Sequence, residues 1–453
     1  MRELINIQNI TKAYFLGIGG IGMSAIARFF NSRGVKVSGY DKTPTALTQQ
    51  LEVEGIFVHF NDDVALFPSD ADLVVYTPAI PADNAIFTWC KNNNIQLLKR
   101  SDVLEIISRD TYNICIAGTH GKTTTSTMVA HVLRDSGFGC NAFLGGIATN
   151  YQTNFWSDPN PVAVIEADEY DRSFLKLYPN VISISAMDPD HLDIYHTATE
   201  MEDAFVQFTS NLKQGGLLLS KKGIQREASL KGDKHYSYHL SDTSADIYTT
   251  ALEMKSGGYQ YNAVGPGWMI TDLNLKMGGL HNVENSLVAV AVAKHLGIAD
   301  DLIRQSLSTF MGVKRRFEYV VNNNSHVFID DYAHHPEELR VLIQGAKAMF
   351  PNRKCMVVFQ PHLFTRTRDL ADGFAEMLSL ADEVILLPIY PARELPIPGI
   401  TSEWLAEKMN ENVKVMSKEE MMEYVSANQP SMLITAGAGD IDKLVDPLKN
   451  ALL

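Results

Sequence analysis

The chain has 453 residues, of which 45% are hydrophobic and 20% charged, as in ordinary globular proteins of two to four domains. Its net charge of −14 and lack of basic runs disfavour nucleic-acid binding, because affinity for a phosphate backbone comes from clustered Lys and Arg. The four cysteines form no CxxC pair, which fits a reducing compartment. Neither a signal segment nor an apolar run of about 20 residues occurs, so we expect a cytoplasmic protein without membrane insertion.

A glycine turn follows the first apolar strand of the chain. Residues 13–24 read AYFLGIGGIGMS, and the apolar spacing that follows predicts a helix ending near Gly34. Gly17, Gly19 and Gly22 satisfy the GxGxxG spacing, and Asp41 lies about 20 residues further on, at the end of the next strand. Taken alone this fingerprint indicates NAD, but the same backbone N–H groups can bind any diphosphate. The fingerprint therefore predicts a diphosphate site but leaves open which ligand carries the diphosphate.

Two more apolar segments, residues 71–80 and 95–100, read as strands that end at the same edge of the sheet. The second leads into a helix for which Ser101 is the predicted cap. Ligands bind at the carboxyl ends of strands in open α/β sheets, so Arg100 is either a ligand contact or a surface charge.

A second glycine loop lies in residues 114–125, ICIAGTHGKTTT. An apolar strand breaks at Gly118, and a helix is predicted to begin near Lys122. Gly118 and Gly121 are separated by only two residues, so the loop is a variant of the usual P-loop pattern. Backbone N–H groups, a helix N-terminus and a lysine together predict a polyphosphate site.

Acidic residues follow the next two predicted strands. In residues 162–169, VAVIEADE, the period of two places Glu166 and Asp168 on one side of the strand. The strand at 181–185 leads into MDPDHLD, which contains His191. Carboxylate oxygens suit Mg²⁺, and a neutral imidazole can complete its ligand shell. The alternative for His191 is a helix-start residue bonded to the backbone.

Residues 215–267 alternate short strands with turns and predict a peripheral antiparallel portion without chemistry. The helix predicted at 279–293 carries Asn282 and Asn285 three residues apart, on one face near its N-terminus. Such amides either cap the helix or bind the edge of a base.

A third α/β alternation begins after residues 311–317. Its polar segments, 330–336, 361–368 and 433–440, each follow a strand and therefore meet at one sheet edge. The side chains there that can neutralise phosphate or carboxylate are Asp331, Tyr332, His334, His335, His362, Arg366 and Arg368.

The order of these motifs closely resembles the Mur ligases over essentially the whole chain. The segments that carry the resemblance are GIGGIGM at 17–23, GTHGKTTT at 118–125, EADE at 166–169, DH at 190–191, HNVEN at 281–285, RRF at 315–317, DDYAHHP at 330–336 and QPHLFTRTRD at 360–369. The resemblance implies three α/β domains: Rossmann-like (1–110), P-loop-type ATPase (111–313) and a second Rossmann-like domain (314–453).

The activity that the resemblance implies is ATP-dependent ligation of L-alanine to the lactyl carboxylate of UDP-N-acetylmuramate through an acyl phosphate, in peptidoglycan precursor synthesis. A recycling member of the family, which adds a preformed tripeptide, is the alternative. An NAD-dependent dehydrogenase or a nucleotide switch would leave several motifs unused. The implied cofactors are ATP and Mg²⁺, and we expect a monomer or weak dimer.

Roles are carried over by matching positions in the family motifs. The residues implied to bind ATP are Gly118, Thr119, His120, Gly121, Lys122, Thr123, Thr124, Asn282, Asn285, Arg316 and Tyr332. Those implied to bind the UDP-sugar and the incoming alanine are Gly19, Gly20, Ile21, Gly22, Asp41, Thr77, Ala79, His362 and Arg366. Those implied to hold magnesium are Thr123, Glu166 and His191. Those implied to act in catalysis are Lys122, His335, Arg316 and Asp331. One departure concerns Leu363, where the family usually has arginine.

Overall fold

The computed structural model describes residues 7–189, 192–255, 257–392, 394–409 and 412–453. It divides into two compact units. Unit 1 contains the chain up to Thr250, together with Ala263–Thr271 and Glu284–Leu307; unit 2 contains Ala251–Asn262, Asp272–Val283 and Ser308–Leu453.

The first sheet of unit 1 is parallel and has the order β3-β2-β1-β4-β5. Its strands are β1 (Lys12–Leu16), β2 (Lys36–Tyr40), β3 (Phe57–His59), β4 (Leu73–Tyr76) and β5 (Leu97–Lys99). Its helices are α1 (Ile21–Asn31), α2 (Ala46–Val53), α3 (Ala85–Asn92) and α4 (Arg100–Arg109). The chain leaves β1 with β2 on one side and β4 on the other, so the first glycine turn lies at the topological switch point, where such sheets bind ligands.

The second sheet has the order β15-β14-β13-β12-β11-β10-β6-β9-β7-β8 in the described part of the chain. Its strands are β6 (Tyr112–Ala117), β7 (Asn141–Ala148), β8 (Thr153–Trp156), β9 (Val162–Glu166), β10 (Val181–Ile184), β11 (Leu217–Lys221), β12 (Lys234–His239), β13 (Ile247–Lys255), β14 (Gly258–Gly265) and β15 (Trp268–Leu275). The helices of this segment are α5 (Lys122–Asp135), α6 (Leu192–Tyr195), α7 (Ala198–Thr209), α8 (Leu280–His295) and α9 (Asp300–Thr309). Strand β6, which precedes the second glycine loop, pairs in parallel with β9 and β10, so the segments after these three strands meet at one edge.

The third sheet lies in unit 2 and has the order β16-β17-β21-β18-β19-β20. Its strands are β16 (Glu318–Asn322), β17 (Val327–Asp331), β18 (Cys355–Phe359), β19 (Glu383–Leu386), β20 (Val413–Val415) and β21 (Met432–Ala436). Its helices are α10 (Pro336–Met349), α11 (Phe364–Asp369), α12 (Ala371–Leu378), α13 (Ser402–Ala406), α14 (Lys418–Asn428) and α15 (Val445–Leu452). Only the β16–β17 pairing is antiparallel among the register pairs described for this sheet.

Within unit 1, helix α1 packs against the strands of the second sheet as well as its own. The Phe29 ring lies 5.4 Å from the ring of Phe143 and 6.2 Å from that of Phe155. The buried Arg28 guanidinium donates to Glu54 at 2.7 Å and also to the Asn154 amide oxygen. The two sheets of unit 1 therefore share one apolar core.

Two local predictions are wrong. Residues 215–267 were predicted as an antiparallel portion, and this is wrong for the first part of the segment, because β11 and β12 extend the parallel sheet from β10, and β13 pairs in parallel with β12. Helix α4 begins at Arg100, so Ser101 is not its cap; the Asp102 carboxylate instead accepts a hydrogen bond from the Lys99 N–H at 2.9 Å. In the described part of the chain, no helix is long and apolar enough to cross a membrane.

Candidate active site

The second glycine loop joins β6 to α5, and the helix begins at Lys122 as predicted. Gly118 and Gly121 have φ values of 120° and 77°, which favour glycine. A Cβ at residue 118 would lie 2.8 Å from the Ser185 backbone N and even closer to its hydroxyl, so a side chain has no room there. Glycine thus lets the loop turn tightly and present the N-terminus of α5, a favourable site for phosphate.

Lys122 is held by two acceptors. Its ammonium donates to the Gly118 carbonyl at 2.8 Å and to Glu169 Oε1 at 2.7 Å. Glu169 is fully buried, and burial raises its pKa while Lys122 opposes that rise. The sequence interpretation gave Glu169 no role, although it is the third carboxylate of the segment EADE that follows β9. Its position beside Glu166 and Asp168 in this segment was the sequence feature that could have indicated its role.

Glu166 lies beside the first turn of α5. Its Oε1 accepts from the Thr123 hydroxyl at 3.0 Å, and its Oε2 accepts from the Gly145 N–H at 2.9 Å. Burial is the main cause that raises the pKa of Glu166, and Lys122 is the strongest opposing influence. A hydroxyl and a carboxylate at this spacing are the hard oxygen ligands that magnesium takes.

The predicted strand geometry of Asp168 is wrong, because β9 ends at Glu166 and the period of two no longer applies beyond it. The two carboxylates nevertheless line one cavity. His191, the third predicted magnesium ligand, lies outside the described residues. Among the described residues there is no cluster of three or more His, Cys, Asp or Glu that could hold a metal ion.

The remaining loop residues have distinct surroundings. His120 is 68% exposed, and its Nε2 lies 3.3 Å from Asp188 Oδ2, so the side chain does not shape the loop from within. Thr119 stabilises the loop from within, because its hydroxyl accepts from the Asp188 N–H at 3.1 Å. Thr124 is buried in α5, and a Cβ at Gly121 would lie 3.0 Å from Asn285 Oδ1. Asn285 therefore lies against the phosphate loop.

The first glycine turn is built around Asp41 and Thr77. The Gly19 N–H donates to Asp41 Oδ2 at 2.8 Å, so this carboxylate lies at the turn. Gly17 has φ 84°, and a Cβ there would overlap the Thr77 methyl group. The Thr77 hydroxyl in turn accepts from the Ala79 N–H at 3.4 Å. The predicted diphosphate residues are thus brought together, with Gly20, Ile21 and Gly22 at the start of α1.

Arg100 also reaches this turn. A Cβ at Gly22 would lie 3.1 Å from Arg100 Cζ, so the guanidinium lies directly over that glycine. Its Nη2 is 3.5 Å from Asp168 Oδ2. The sequence left Arg100 as either a ligand contact or a surface charge, and the structure places it beside the predicted diphosphate turn.

In unit 2, the Asp331 carboxylate is held by two backbone N–H groups of other residues. It accepts from the Phe317 N–H at 2.6 Å and from the Ala333 N–H at 2.7 Å, and burial raises its pKa. The Arg316 guanidinium lies 5.5 Å from the centre of the Tyr332 ring. These contacts fix the segment after β17.

Asn282, also in unit 2, donates from its amide to the Gly278 carbonyl at 2.8 Å. This contact uses the amide N–H group as a donor, whereas capping a helix N-terminus uses a side-chain oxygen that accepts from a backbone N–H.

Two histidines of unit 2, His334 and His362, lie near Arg366. The His334 Nδ1–H donates to the Tyr332 carbonyl at 2.8 Å, which leaves Nε2 as the basic nitrogen. The His362 Nδ1 lies 3.4 Å from Arg366 Nη1, and the rings of His334 and His362 are 6.4 Å apart. Burial lowers the pKa of both histidines. His335 is exposed at the start of α10.

Leu363, at the position where the family usually has arginine, has φ 70°, an uncommon backbone conformation for leucine. Its N–H donates to the Tyr390 carbonyl at 2.9 Å. The strained backbone therefore belongs to the loop that also carries His362 and Arg366.

The chain belongs to the Mur ligase family, and the resemblance seen in its motifs is confirmed. Three family models match it in succession: the catalytic domain model of the Mur ligase family over residues 12–112, the Mur ligase middle domain over 116–293 and the glutamate ligase domain over 315–439. The predicted three-domain α/β architecture is confirmed with them.

The similar relatives include UDP-N-acetylmuramate–L-alanine ligases. That of Flavobacterium johnsoniae is 44% identical, with 99% of each chain covered, and that of Parabacteroides distasonis is 45% identical over 99% of this chain and 98% of the relative. Among solved structures, the UDP-N-acetylmuramate-alanine ligase MurC of Thermotoga maritima matches with a TM-score of 0.83 and 29% identity, covering 97% of this chain and 98% of that one. A murein peptide ligase of Psychrobacter arcticus shares the fold, with a TM-score of 0.67, 23% identity and 98% coverage of both chains.

Proposed function

We propose that this protein joins the amino group of L-alanine to the lactyl carboxylate of UDP-N-acetylmuramate, with ATP converted to ADP and phosphate, as a step of peptidoglycan precursor synthesis. The observation that carries the proposal is the full-length identity of 44% to the Flavobacterium johnsoniae ligase of that name. The phosphate loop around Lys122 and the glycine turn around Asp41 supply the two anion sites that this reaction needs.

The chemistry begins with activation of the carboxylate, which is not electrophilic at pH 7. One of its oxygens attacks the γ-phosphorus of ATP, the bond to the β,γ-bridging oxygen breaks, and an acyl phosphate and ADP form. The N–H groups of the first turn of α5 and the Lys122 ammonium would offset the charge on the transferring oxygens, because Lys122 is the first residue of this helix. To do so, Lys122 exchanges Glu169 for a phosphate oxygen. Arg316 is the proposed second cation of this step.

The residues beside the loop fit a magnesium ion. Thr123 and Glu166 would hold it, with His191 as the third proposed ligand. When bound, the ion supplies Lewis-acid charge that offsets the negative charge of the phosphates. The Thr123 hydroxyl and the Glu166 carboxylate are already oriented toward each other at 3.0 Å.

The second half of the reaction is attack of the alanine amine on the acyl carbon, with phosphate leaving. The amine must lose a proton, and we propose the Nε2 of His334 or a solvent molecule as the acceptor. The Nδ1–H of His334 is committed to the Tyr332 carbonyl, and burial lowers its pKa, so the ring is held neutral and able to accept a proton. His335, His362 and Arg366 are the proposed contacts of the lactyl and alanine carboxylates, with Asp331 keeping its loop in place.

The test is ADP release by the purified full-length protein. Wild type should release ADP only when UDP-N-acetylmuramate and L-alanine are both present with ATP and magnesium, and Lys122→Ala should abolish that release. Lys222→Ala is the matched control, because its ammonium forms a surface ion pair with Asp242 at 3.2 Å and should leave turnover unchanged. Full activity of Lys122→Ala would overturn the proposal.

The amine substrate is tested by supplying free L-alanine or a preformed tripeptide separately. Preference for L-alanine is expected, and preference for the tripeptide would reassign the protein to the recycling reaction. A pocket sized for a methyl group discriminates by only about 1–3 kcal/mol, so glycine and serine should be slow alternative substrates.

The domain boundaries at residues 110 and 313, a cytoplasmic location and a monomeric or weakly dimeric state are proposed together with this function. Limited proteolysis tests the boundaries, and sedimentation of the intact chain tests the oligomeric state.

A further inference from the structure

Arg100 lies between two features of unit 1 that have opposite charge preferences. Its guanidinium carbon would be 3.1 Å from a Cβ at Gly22, in the first turn of α1, where backbone N–H groups favour an anion. Its Nη2 lies 3.5 Å from Asp168 Oδ2, beyond the end of β9. One arginine thus touches the predicted diphosphate turn and a carboxylate beside Glu166.

The contact with Asp168 is loose. Charge-assisted hydrogen bonds between arginine and carboxylate are about 2.7–2.9 Å long, and this pair is 3.5 Å apart. A few residues away, Lys176 holds Asp102 at 2.6 Å. The side chains of Arg100 and Asp168 are also 29% and 36% exposed. Arg100 can therefore exchange Asp168 for a stronger anionic partner at little cost.

Asp168 and Arg100 share one cavity with Glu166. Its other lining residues are the two serines and three apolar side chains Ser101, Leu104, Ser173, Phe174 and Leu177. Apolar walls raise the strength of charge interactions relative to open water. The charge of Arg100 therefore bears directly on how strongly the Glu166 and Asp168 carboxylates attract a cation.

We propose that Arg100 couples the binding of the two substrates, an inference that rests on the proposed function. A diphosphate at the first glycine turn draws the guanidinium to itself and away from Asp168. The two carboxylates then attract the divalent cation of a nucleotide more strongly. UDP-sugar and magnesium nucleotide therefore bind with positive linkage, and each tightens the other by the same factor.

The experiment is calorimetric titration of UDP-N-acetylmuramate into the full-length protein, with and without magnesium and a non-hydrolysable ATP analogue. Wild type should bind the UDP-sugar about tenfold more tightly in the presence of the nucleotide, within the usual range of such couplings. Arg100→Met should bind it at least about tenfold more weakly and show no linkage. Arg109→Met is the matched control at the other end of α4, where Arg109 pairs with Glu105 at 2.5 Å, and it should behave as wild type.

Asp168→Asn separates coupling from simple binding. It frees Arg100 from its competing carboxylate, so UDP-sugar affinity without nucleotide should be equal to or higher than that of wild type, whereas the linkage should disappear. Circular dichroism and thermal melting check that each variant is folded.

Linkage that survives in folded Arg100→Met would overturn the inference, as would weaker UDP-sugar binding by Asp168→Asn in the absence of nucleotide. Wild-type binding of both ligands without linkage would overturn the inference alone. Failure of wild type to bind UDP-N-acetylmuramate at all would overturn the proposed function with it.

Discussion

Replacing Lys122 with methionine should destabilise unit 1 in the absence of any nucleotide. Glu169 would lose its ion-pair partner in a buried site, because its side chain is 0% solvent-accessible and its Oε1 accepts from the Lys122 ammonium at 2.7 Å. Its Oε2 is buried without a hydrogen-bond partner among the described residues. Without the lysine, the carboxylate must either remain charged in an apolar site or take up a proton.

Protonation of Glu169 sets an upper limit on the loss of unfolding free energy in Lys122→Met. A glutamate has an ordinary pKa of about 4.3, so keeping it neutral at pH 7 costs about 4 kcal/mol, within the range of about 3–5 kcal/mol for breaking a buried pair. The cost should fall by about 1.4 kcal/mol for each pH unit between pH 7 and about 4.3, because the unfolded chain then takes up the same proton. Glu169→Gln keeps an acceptor for Lys122 and should cost only about 1–2 kcal/mol.

The assay is urea unfolding of the nucleotide-free protein at pH 7 and pH 5.5, followed by circular dichroism and tryptophan fluorescence. The double variant Lys122→Met/Glu169→Gln should recover most of the loss, because no buried charge is left unpaired. Arg172→Met is the control, since Arg172 and Glu200 are 45% exposed, and it should cost under about 1 kcal/mol. Additive effects in the double variant, or a larger cost for Glu169→Gln than for Lys122→Met, would refute the reasoning.

Two further predictions concern unit 2 and the phosphate loop. Burial raises the pKa of Asp330 to about 7, against the opposing influences of Arg315 and Thr435, so the folded state keeps a proton that the unfolded state releases above pH about 4. The free energy of unfolding should therefore fall by about 1.4 kcal/mol per pH unit as the pH rises from about 4 to 7. Urea unfolding of Asp330→Asn should lack this pH dependence. The same pH dependence in Asp330→Asn and wild type would contradict the prediction. Gly118→Ala should weaken binding of an ATP analogue at least about tenfold in calorimetry, because its Cβ meets Ser185. Gly215→Ala, with φ 76° but open space around it, should show only the backbone cost of about 1–2 kcal/mol in stability and normal binding. Equal binding losses in both variants would exclude the steric explanation.

The sequence alone determined the features that depend on neighbouring residues. The two glycine turns, the helix start at Lys122 and the strand that leads to Glu166 were predicted, and β1, β6, β9 and α5 confirm them. Glycine spacing and apolar periodicity are local patterns, so they can be read without knowing what packs against them. The family motifs extended this to the three-domain architecture.

The sequence failed where the outcome depends on distant partners. The pairing direction of β11 and β12 is decided by which strands lie beside them, and short alternating strands with turns fit either direction. The cap of α4 was misplaced for a local reason, because the helix begins one residue before Ser101 and the Asp102 carboxylate accepts from the Lys99 N–H.

Only the tertiary structure revealed which contacts the charged residues near the N-termini of α5 and α1 make. Glu169 becomes the partner of Lys122, 47 positions apart in the chain, and Arg100 comes to lie between Gly22 and Asp168. Spacing along the chain does not encode such contacts, since they arise when strands far apart in sequence end at the same edge of a sheet. The sequence thus predicted phosphate binding at two glycine turns, and the packing of the sheets decided which charged side chains lie beside each of them.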